Sequence, residues 1–371
     1  MKDITVALSD ARYNAHRIIA EDFQENMYTF LKIVTLEGWD ALQVEWNDLV
    51  TRGVISAPFL RHEMLRTWWQ GLGGGEWADG ELAIHIAREG TTLLGVAPFF
   101  ITKMADGRRV LQFIGSFEIM DYLDLIVSPQ NHSTFLVELL DHLAVEQNTS
   151  WDEVRLYNLL DTSPTITSLE SIATERGWNY SVEHLQPAPR IELPGDFELY
   201  LAGIDKKQRH EIRRKMRRLE HSGHMHRWFI VEHAAALEDE ISAFIHLMSL
   251  DDKKKAFLTP AMDAQMRSLI RSAFQNGSLH LSFLEIDGTR SAAYLSFLYD
   301  DQLFVYNSGV NPEQYDFSPG WVLLGHLLEW ANEKRLKYFD FMRGSEDYKY
   351  KFGAISRNVH LVKLIPPARQ G

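Results

Sequence analysis

Between Tyr294 and Gly353 the chain sets a glycine-opened helix start and a run of charged side chains at the ends of two apolar segments. Residues 303–308 read as a strand. After Asn311-Pro312 comes Ser318-Pro319-Gly320-Trp321, then an apolar helix over 319–335 and a second strand over 338–342. Ser318 is placed to cap the helix, Pro319 suits its first turn, and Gly320 removes a side chain where a ligand would approach. Unpaired amides at such a start, with the positive end of the helix dipole, attract anions. This is what an enzyme holding a phosphorylated cofactor needs.

Charged and phenolic groups follow the second strand. Asp340 alternates with Phe339 and Phe341, and an acid among apolar neighbours is either a base of raised pKa or the partner of a cation such as Arg343 or Lys349. Glu346 is the alternative base, or a loop carboxylate. Tyr348 is either a proton donor to a leaving group or a packed anchor. Arg343 and Lys349 are read as holding phosphate or an acidic acceptor, with Gly344 freeing the Arg343 loop. In the first half, Asp121, Tyr122 and Asp124 are read as facing an interdomain cleft and suiting an amine acceptor; strand-edge protection is the other reading.

Positioning these groups takes more than one core. The 371 residues imply two domains, placed at 1–190 and 191–371. Cysteine is absent, which excludes disulfides, thiolate metal sites and a cysteine nucleophile. The start, Met1-Lys2-Asp3-Ile4, lacks the apolar run of a leader, and the greasy stretch 93–101 is too short to span a bilayer, so a cytoplasmic location is expected.

The order of elements repeats. In the first half a strand is expected over 27–35 and helices over 37–52 and 57–71, the second capped by Ser56. A hairpin turning at Glu89-Gly90 follows, then strands near 110–115 and 122–127, a helix over 133–146 and a strand over 153–158. In the second half, helices over 234–250 and 261–275 precede a hairpin turning at Asp287-Gly288, then strand, helix and strand. A duplicated α/β domain accounts for this; coincidence of a common order is the other reading. The junction is expected at Gln186–Asp196, where Pro187, Pro189 and Pro194-Gly195 disfavour regular structure.

The net charge of −13 argues against wholesale nucleic-acid binding, yet eight of the thirteen residues from Lys206 to Arg218 are Lys or Arg. Asp205 and Gln208 form a capping box for this helix, and Ile212, Met216 and Leu219 give it a narrow buried stripe. It is either a solvated face or a surface that meets phosphate or another polyanion. Gly71–Gly75 is read as a flexible loop, and His221, His224 and His226 as a polar helix end, so no metal is expected.

Three stretches together resemble a family: the duplicated halves, the run Leu193-Pro194 through Lys206–Leu219, and Ser318-Pro319-Gly320 through Phe339–Gly353. They resemble the tandem-GNAT acyltransferases, in particular the CelD-like (cellulose-biosynthesis-type) acetyltransferases related to Fem-type peptidoglycan transferases. The resemblance spans roughly residues 25–365 and is most specific in the last sixty. It implies an α/β fold of two GNAT-like domains, each a mixed, splayed sheet flanked by helices. It implies direct transfer of an acetyl or other acyl group from acyl-CoA to an amine, such as an amino sugar or a cell-envelope precursor. A Fem-like aminoacyl-tRNA-dependent transferase and a non-catalytic polyanion scaffold are the alternatives. By the resemblance, Asn307, Ser308, Gly309 and Val310 would polarise the thioester carbonyl, and Ser318, Pro319, Gly320 and Trp321 would meet the pyrophosphate. One departure stands out: with Gly320 as first glycine, Phe317 and Val322 replace the flanking residues of the general superfamily pattern. Ser128–Ser133, at the matching place of the first half, lacks the glycine and is expected to bind no donor.

Overall fold

The computed structural model describes residues 28–367; the chain start read above for a leader lies outside them. The first half runs β1 (Thr29–Ile33), α1 (Leu36–Asp40), α2 (Gln43–Thr51), α3 (His62–Gly75), β2 (Glu81–Leu82), β3 (Ile84–Glu89), β4 (Thr92–Ala97) and β5 (Phe99–Lys103). It continues with β6 (Arg109–Phe113), β7 (Ile126–Val127), α4 (His132–Ser150), β8 (Glu153–Leu160), α5 (Pro164–Glu175) and β9 (Asn179–Glu192). Then come α6 (Phe197–Gly203), α7 (Lys206–Glu220), β10 (His226–Ile230), α8 (Leu237–Ser249), α9 (Asp252–Phe257) and α10 (Pro260–Gln275). The rest is β11 (Leu279–Ile286), β12 (Thr289–Tyr299), β13 (Gln302–Val310), α11 (Pro319–Glu333), β14 (Tyr338–Asp340), α12 (Asp347–Lys351) and β15 (Ile355–Ile365).

The strands form one sheet of order β1-β3-β4-β7 and a larger one of order β10-β11-β12-β13-β14-β9-β15-β8-β6-β5-β2. The architecture is mixed α/β, with helices on both faces. In the second half, α11 packs Val322, Leu323, Leu327 and Leu328 over Leu284, Leu303 and Val305. The opposite face receives Ile241, Phe244, Leu247 and Met248 of α8 against Phe283, Ala293 and Leu295. Covered on both sides, these strands carry near-continuous apolar runs, and each fully buried Leu or Phe contributes about 1.5–3 kcal/mol. Gly309 is required here: a Cβ would come within 2.6 Å of the Leu247–Met248 backbone.

The segment expected to be an irregular junction is a strand. β9 pairs with β15 from Asn179↔Ile365 to Arg190↔Ile355, and with β14 at Arg190, Ile191 and Glu192. Its prolines are tolerated because β14 ends at Asp340, opposite Arg190, so neighbouring positions face no strand that needs their missing N–H. The Pro189 and Pro187 carbonyls instead accept the N–H groups of Phe341 and Gly344, at 2.9 Å each. The prolines that looked like a break thus hold the segment carrying Arg343.

Other local expectations change too. Ser56 caps nothing: α3 begins at His62 with Arg61 before it, and the Ser56 hydroxyl is buried without a partner. Ser318 takes a left-handed conformation (φ 52°) and makes no side-chain cap bond to α11. The strand expected over 122–127 is confined to Ile126–Val127, because Tyr122 has φ 56°. The glycine stretch is a packed left-handed turn, with Gly73 and Gly74 buried at φ 68° and 73°. Asp205 does cap α7, accepting from the Lys207 and Gln208 amides.

Candidate active site

A bulge and an early strand end open the site. The β12–β13 register pairs Leu295 with Asn307 but Ser296 with Val305, leaving Tyr306 as the extra residue. A bulge of this kind bends its strand and re-aims side chains. β14 pairs in parallel with β13 only at Gln302, Leu303 and Phe304, so from Val305 to Val310 the far edge of β13 faces no strand. A cavity of about 300 Å³ lies beside this gap. Tyr306 and Asn307 form its floor, Lys253 and Lys254 of α9 one wall, and Glu118, Asp121 and Arg343 the other.

The acidic wall is tightly built. Arg343 ion-pairs with Asp121, both nearly buried, and donates to the Glu118 carbonyl at 2.9 Å and to Asn158 Oδ1 at 3.3 Å. Asn158 Nδ2 donates to the carbonyls of Phe117 and Met120 at 2.8 Å, and the Tyr306 hydroxyl to Ile119 at 3.0 Å. From behind, Glu76 accepts the Phe117 and Glu118 amides at 2.6 and 3.2 Å. Burial pushes the Glu76 carboxyl up to about 8, against the pull of those two amides. Burial also raises the Asp121 carboxyl, with the Arg343 guanidinium opposing it.

Across the cavity, Lys254 donates to the Ser308 carbonyl at 2.5 Å and lies 3.3 Å from its hydroxyl. Burial pulls this ammonium below the ordinary lysine range, while Asp251 and Glu346 work against the shift. Lys349 is buried, donates to the Arg343 carbonyl at 2.8 Å and pairs with Glu346 at 2.9 Å. Glu346 and Lys349 therefore brace the turn that presents Arg343.

The start of α11 lies at the far end of the gap. Its first turn has no side-chain cap; Pro319 carries no N–H, the Trp321 and Val322 amides donate to the Ser318 carbonyl at 3.0 and 3.1 Å, and the Gly320 amide is the first-turn donor left for an outside acceptor. A Cβ on Gly320 would sit 3.0 Å from Val310 Cγ2, so the glycine keeps the space between helix start and strand clear. Lys215 of α7 rests 3.8 Å from the Trp321 ring centroid, and the Lys351 charge lies close enough to oppose its own. Tyr348 packs edge-on to Phe341, and burial raises its hydroxyl pKa. The Gly320 amide, Lys215 and the space left by the missing side chain fit a phosphate of an acyl-CoA.

The remaining sequence candidates lie elsewhere. Asp340 is fully buried and accepts from the Tyr122 hydroxyl at 2.7 Å and the Met342 amide at 2.8 Å. Its cation is Arg357 of β15, in place of the Arg343 or Lys349 considered from sequence. Asp124 accepts from Ser163, Thr165 and the Leu125 amide beneath the start of α5, and burial pushes it up to about 6. Of the first-half trio, only Asp121 lines the cavity. Sequence reasoning missed Glu76, Glu118, Asn158, Lys254 and Arg357. Only the glycine stretch before Glu76 offered a signal, and it was read as a loose loop.

Residues 206–350 match the family described as "Acetyltransferase (GNAT) domain". Comparison with curated proteins gives no match. Among solved structures, the chain is similar to FemX at 9% identity, covering 90% of this chain and 96% of that one, with a TM-score of 0.64. A conserved protein of unknown function from Bacteroides thetaiotaomicron matches at 12% identity, with 91% and 100% coverage and a TM-score of 0.53. The C-terminal domain of a putative lysylphosphatidylglycerol synthetase from Agrobacterium fabrum matches at 9% identity, with 88% and 92% coverage and a TM-score of 0.50. At such identities the likeness is one of fold. Residues 206–350 thus match a GNAT-domain model, and the chain as a whole shares its mixed α/β fold with FemX. Among the described residues, no helix is long and apolar enough to cross a membrane.

Proposed function

We propose that this chain is an acyltransferase that moves an acetyl or similar acyl group from acyl-CoA to an amine in the cavity between Asn307 and Arg343. The observation that carries the reading is the parting of β13 from β14, with the start of α11 at one end and a cavity lined by both carboxylates and cations at the other. The family match over 206–350 supports it. In this reading residues 191–371 form the domain that holds the donor. Residues 1–190 form a second domain that supplies Glu118 and Asp121 and binds no donor of its own.

In this reading a backbone N–H on the open edge of β13, within Asn307–Val310, polarises the thioester carbonyl, the Ser308 amide first giving up its 2.8 Å bond to Asn307 Oδ1, and the Gly320 amide with Lys215 receives the diphosphate. Glu118, exposed and in no ion pair among the described residues, meets the acceptor as an ammonium, which must lose a proton before attack, while Asp121 holds Arg343. Glu346 is the candidate for that role: its exposed carboxylate can part from Lys349 to reach the proton, whereas Asp340 is fully buried against Arg357 and Tyr122 and serves to position the end of β14. Tyr348 is the candidate donor to the departing thiolate. The CelD-like resemblance points to an amino sugar or cell-envelope precursor as acceptor, and an acyl-CoA donor places the reaction in the cytoplasm.

A second reading, an aminoacyl group delivered on tRNA, draws on the FemX-like fold and on the exposed Lys206, Lys207, Arg217 and Arg218 of α7, which make no ion pair among the described residues. Thiol release from acetyl-CoA across a panel of amines, with calorimetry of CoA binding, tests the first. Absent CoA binding and absent thiol release would refute it, and consumption of aminoacyl-tRNA would transfer the case to the second.

A further inference from the structure

Far from the cavity, two imidazoles and a carboxylate converge between β3 and α4. His142 and Glu146 are four residues apart on α4 and so share one face of that helix. His85 reaches them from β3 and is fully buried. One ligand-capable atom from each residue lies within 4.8 Å of the other two. We propose that His85, His142 and Glu146 form a binding site for a divalent transition ion of the zinc class, pinning α4 to the first-half sheet.

Three features support this. The first is an unmet polar requirement: His85 Nε2 and Glu146 Oε2 are both buried without a hydrogen-bond partner, though only 3.3 Å apart. A chain that leaves a buried imidazole nitrogen and a carboxylate oxygen unpaired, each aimed at the other, loses free energy unless something sits between them. The second is distance. Bonds of about 2.0–2.1 Å in tetrahedral zinc sites put neighbouring ligand atoms about 3.4 Å apart, close to the 3.3 Å between His85 Nε2 and Glu146 Oε2; His142 Nε2, now 3.2 Å from His85 Nδ1, gives up that contact to complete the set.

The third is a ligand ring already held in place: Phe30 stacks on His142 at 4.9 Å and 19°. Two imidazoles with one carboxylate, and no cysteine anywhere, favour zinc and its neighbours over calcium or magnesium.

Lys32 of β1 occupies the solvent side of the cluster and pairs with Glu146. In the metal-free protein its ammonium partly neutralises the carboxylate. A bound dication takes over that charge and releases the lysine to water. The side chains of Lys32 and Glu146 are 26% and 21% exposed, so an ion can enter from their side.

The test uses tag-free full-length protein, stripped with chelator and titrated with zinc chloride, with metal content read by mass spectrometry and thermal melts run in parallel. The expected result is one tightly held equivalent per chain and a raised Tm. E146Q and H142A should lose both the equivalent and the Tm gain while folding normally without metal, because both residues lie at the partly exposed side of the cluster. K32M should bind zinc more tightly than the parent protein. Failure of the stripped protein to take up a stoichiometric ion would overturn the site, as would uptake that persists in both E146Q and H142A. Unchanged or weaker uptake by K32M would remove Glu146 from the ligand set.

Discussion

Replacing Arg343 by alanine would strand the Asp121 carboxylate in a wall from which it cannot reach water. The side chains are 11% and 5% exposed, so the pair is desolvated on both sides. Removing one partner of such a pair costs about 3–5 kcal/mol, mostly the penalty of the charge left behind. The hydrogen bonds to Asn158 and the Glu118 carbonyl add about 1 kcal/mol each. Asp121 has an escape route, because it can take up a proton. Burial already raises its pKa, and without the guanidinium the rise is larger.

The sign of the pH dependence follows. A carboxyl whose folded pKa lies above its unfolded value favours the native state below the unfolded value, and that stability is lost as pH rises through the folded one. The R343A deficit should therefore fall towards the roughly 2 kcal/mol of the two lost hydrogen bonds near pH 5 and reach about 5 kcal/mol near pH 8. Urea unfolding at both pH values measures it, together with a cycle through D121N and the double variant. Neutralising Asp121 in the R343A background should restore about 2 kcal/mol at the higher pH. A pH-independent loss below about 1 kcal/mol, additive with D121N, would refute the claim that the two side chains act as one buried unit.

Glu76 should make the parent protein less stable as pH rises from about 4.5 towards 8, since its folded pKa is raised to about 8; in E76Q that slope should flatten in urea melts. G309A should lower Tm by the equivalent of about 1–3 kcal/mol or more, because its methyl meets the Leu247–Met248 backbone, which cannot rotate aside. D340N should lose about 3–5 kcal/mol of stability by stranding Arg357, yet leave the pH profile of any residual turnover unchanged. A stable D340N protein with abolished activity would return Asp340 to the role of base. K254M should raise KM for the acyl donor with little change in kcat, since Lys254 holds the Ser308 carbonyl at the open edge of β13.

The parts of this fold that could be read from sequence are those that local chemistry decides. Asp205 caps α7, one hairpin turns at Asp287-Gly288 as expected and the other at Gly90-Thr91, one residue beyond the expected Glu89-Gly90, and α11 begins at Pro319, because caps, Asp-Gly turns and helix-start prolines act within a few residues. The choice of Asp121, Asn307 and Arg343 brought together residues that line one cavity. What stayed hidden depends on partners distant in the chain. Lys254 sits in a short lysine-rich helix that looks like solvated surface until Ser308 is folded against it. Nothing near Asp340 reveals that its cation comes from β15. The prolines of β9 resemble a break because sequence does not show that β14 stops beside them.

The placement of β15 bears on how the molecule comes to be made. It is synthesised late, yet it lies between β8 and β9, paired with both along most of its length. Residues near the start can therefore collapse as they leave the ribosome but must wait, with two strand edges unsatisfied, until position 365 has emerged. During such an interval the open edges of β8 and β9 are sites where nascent chains can pair with one another.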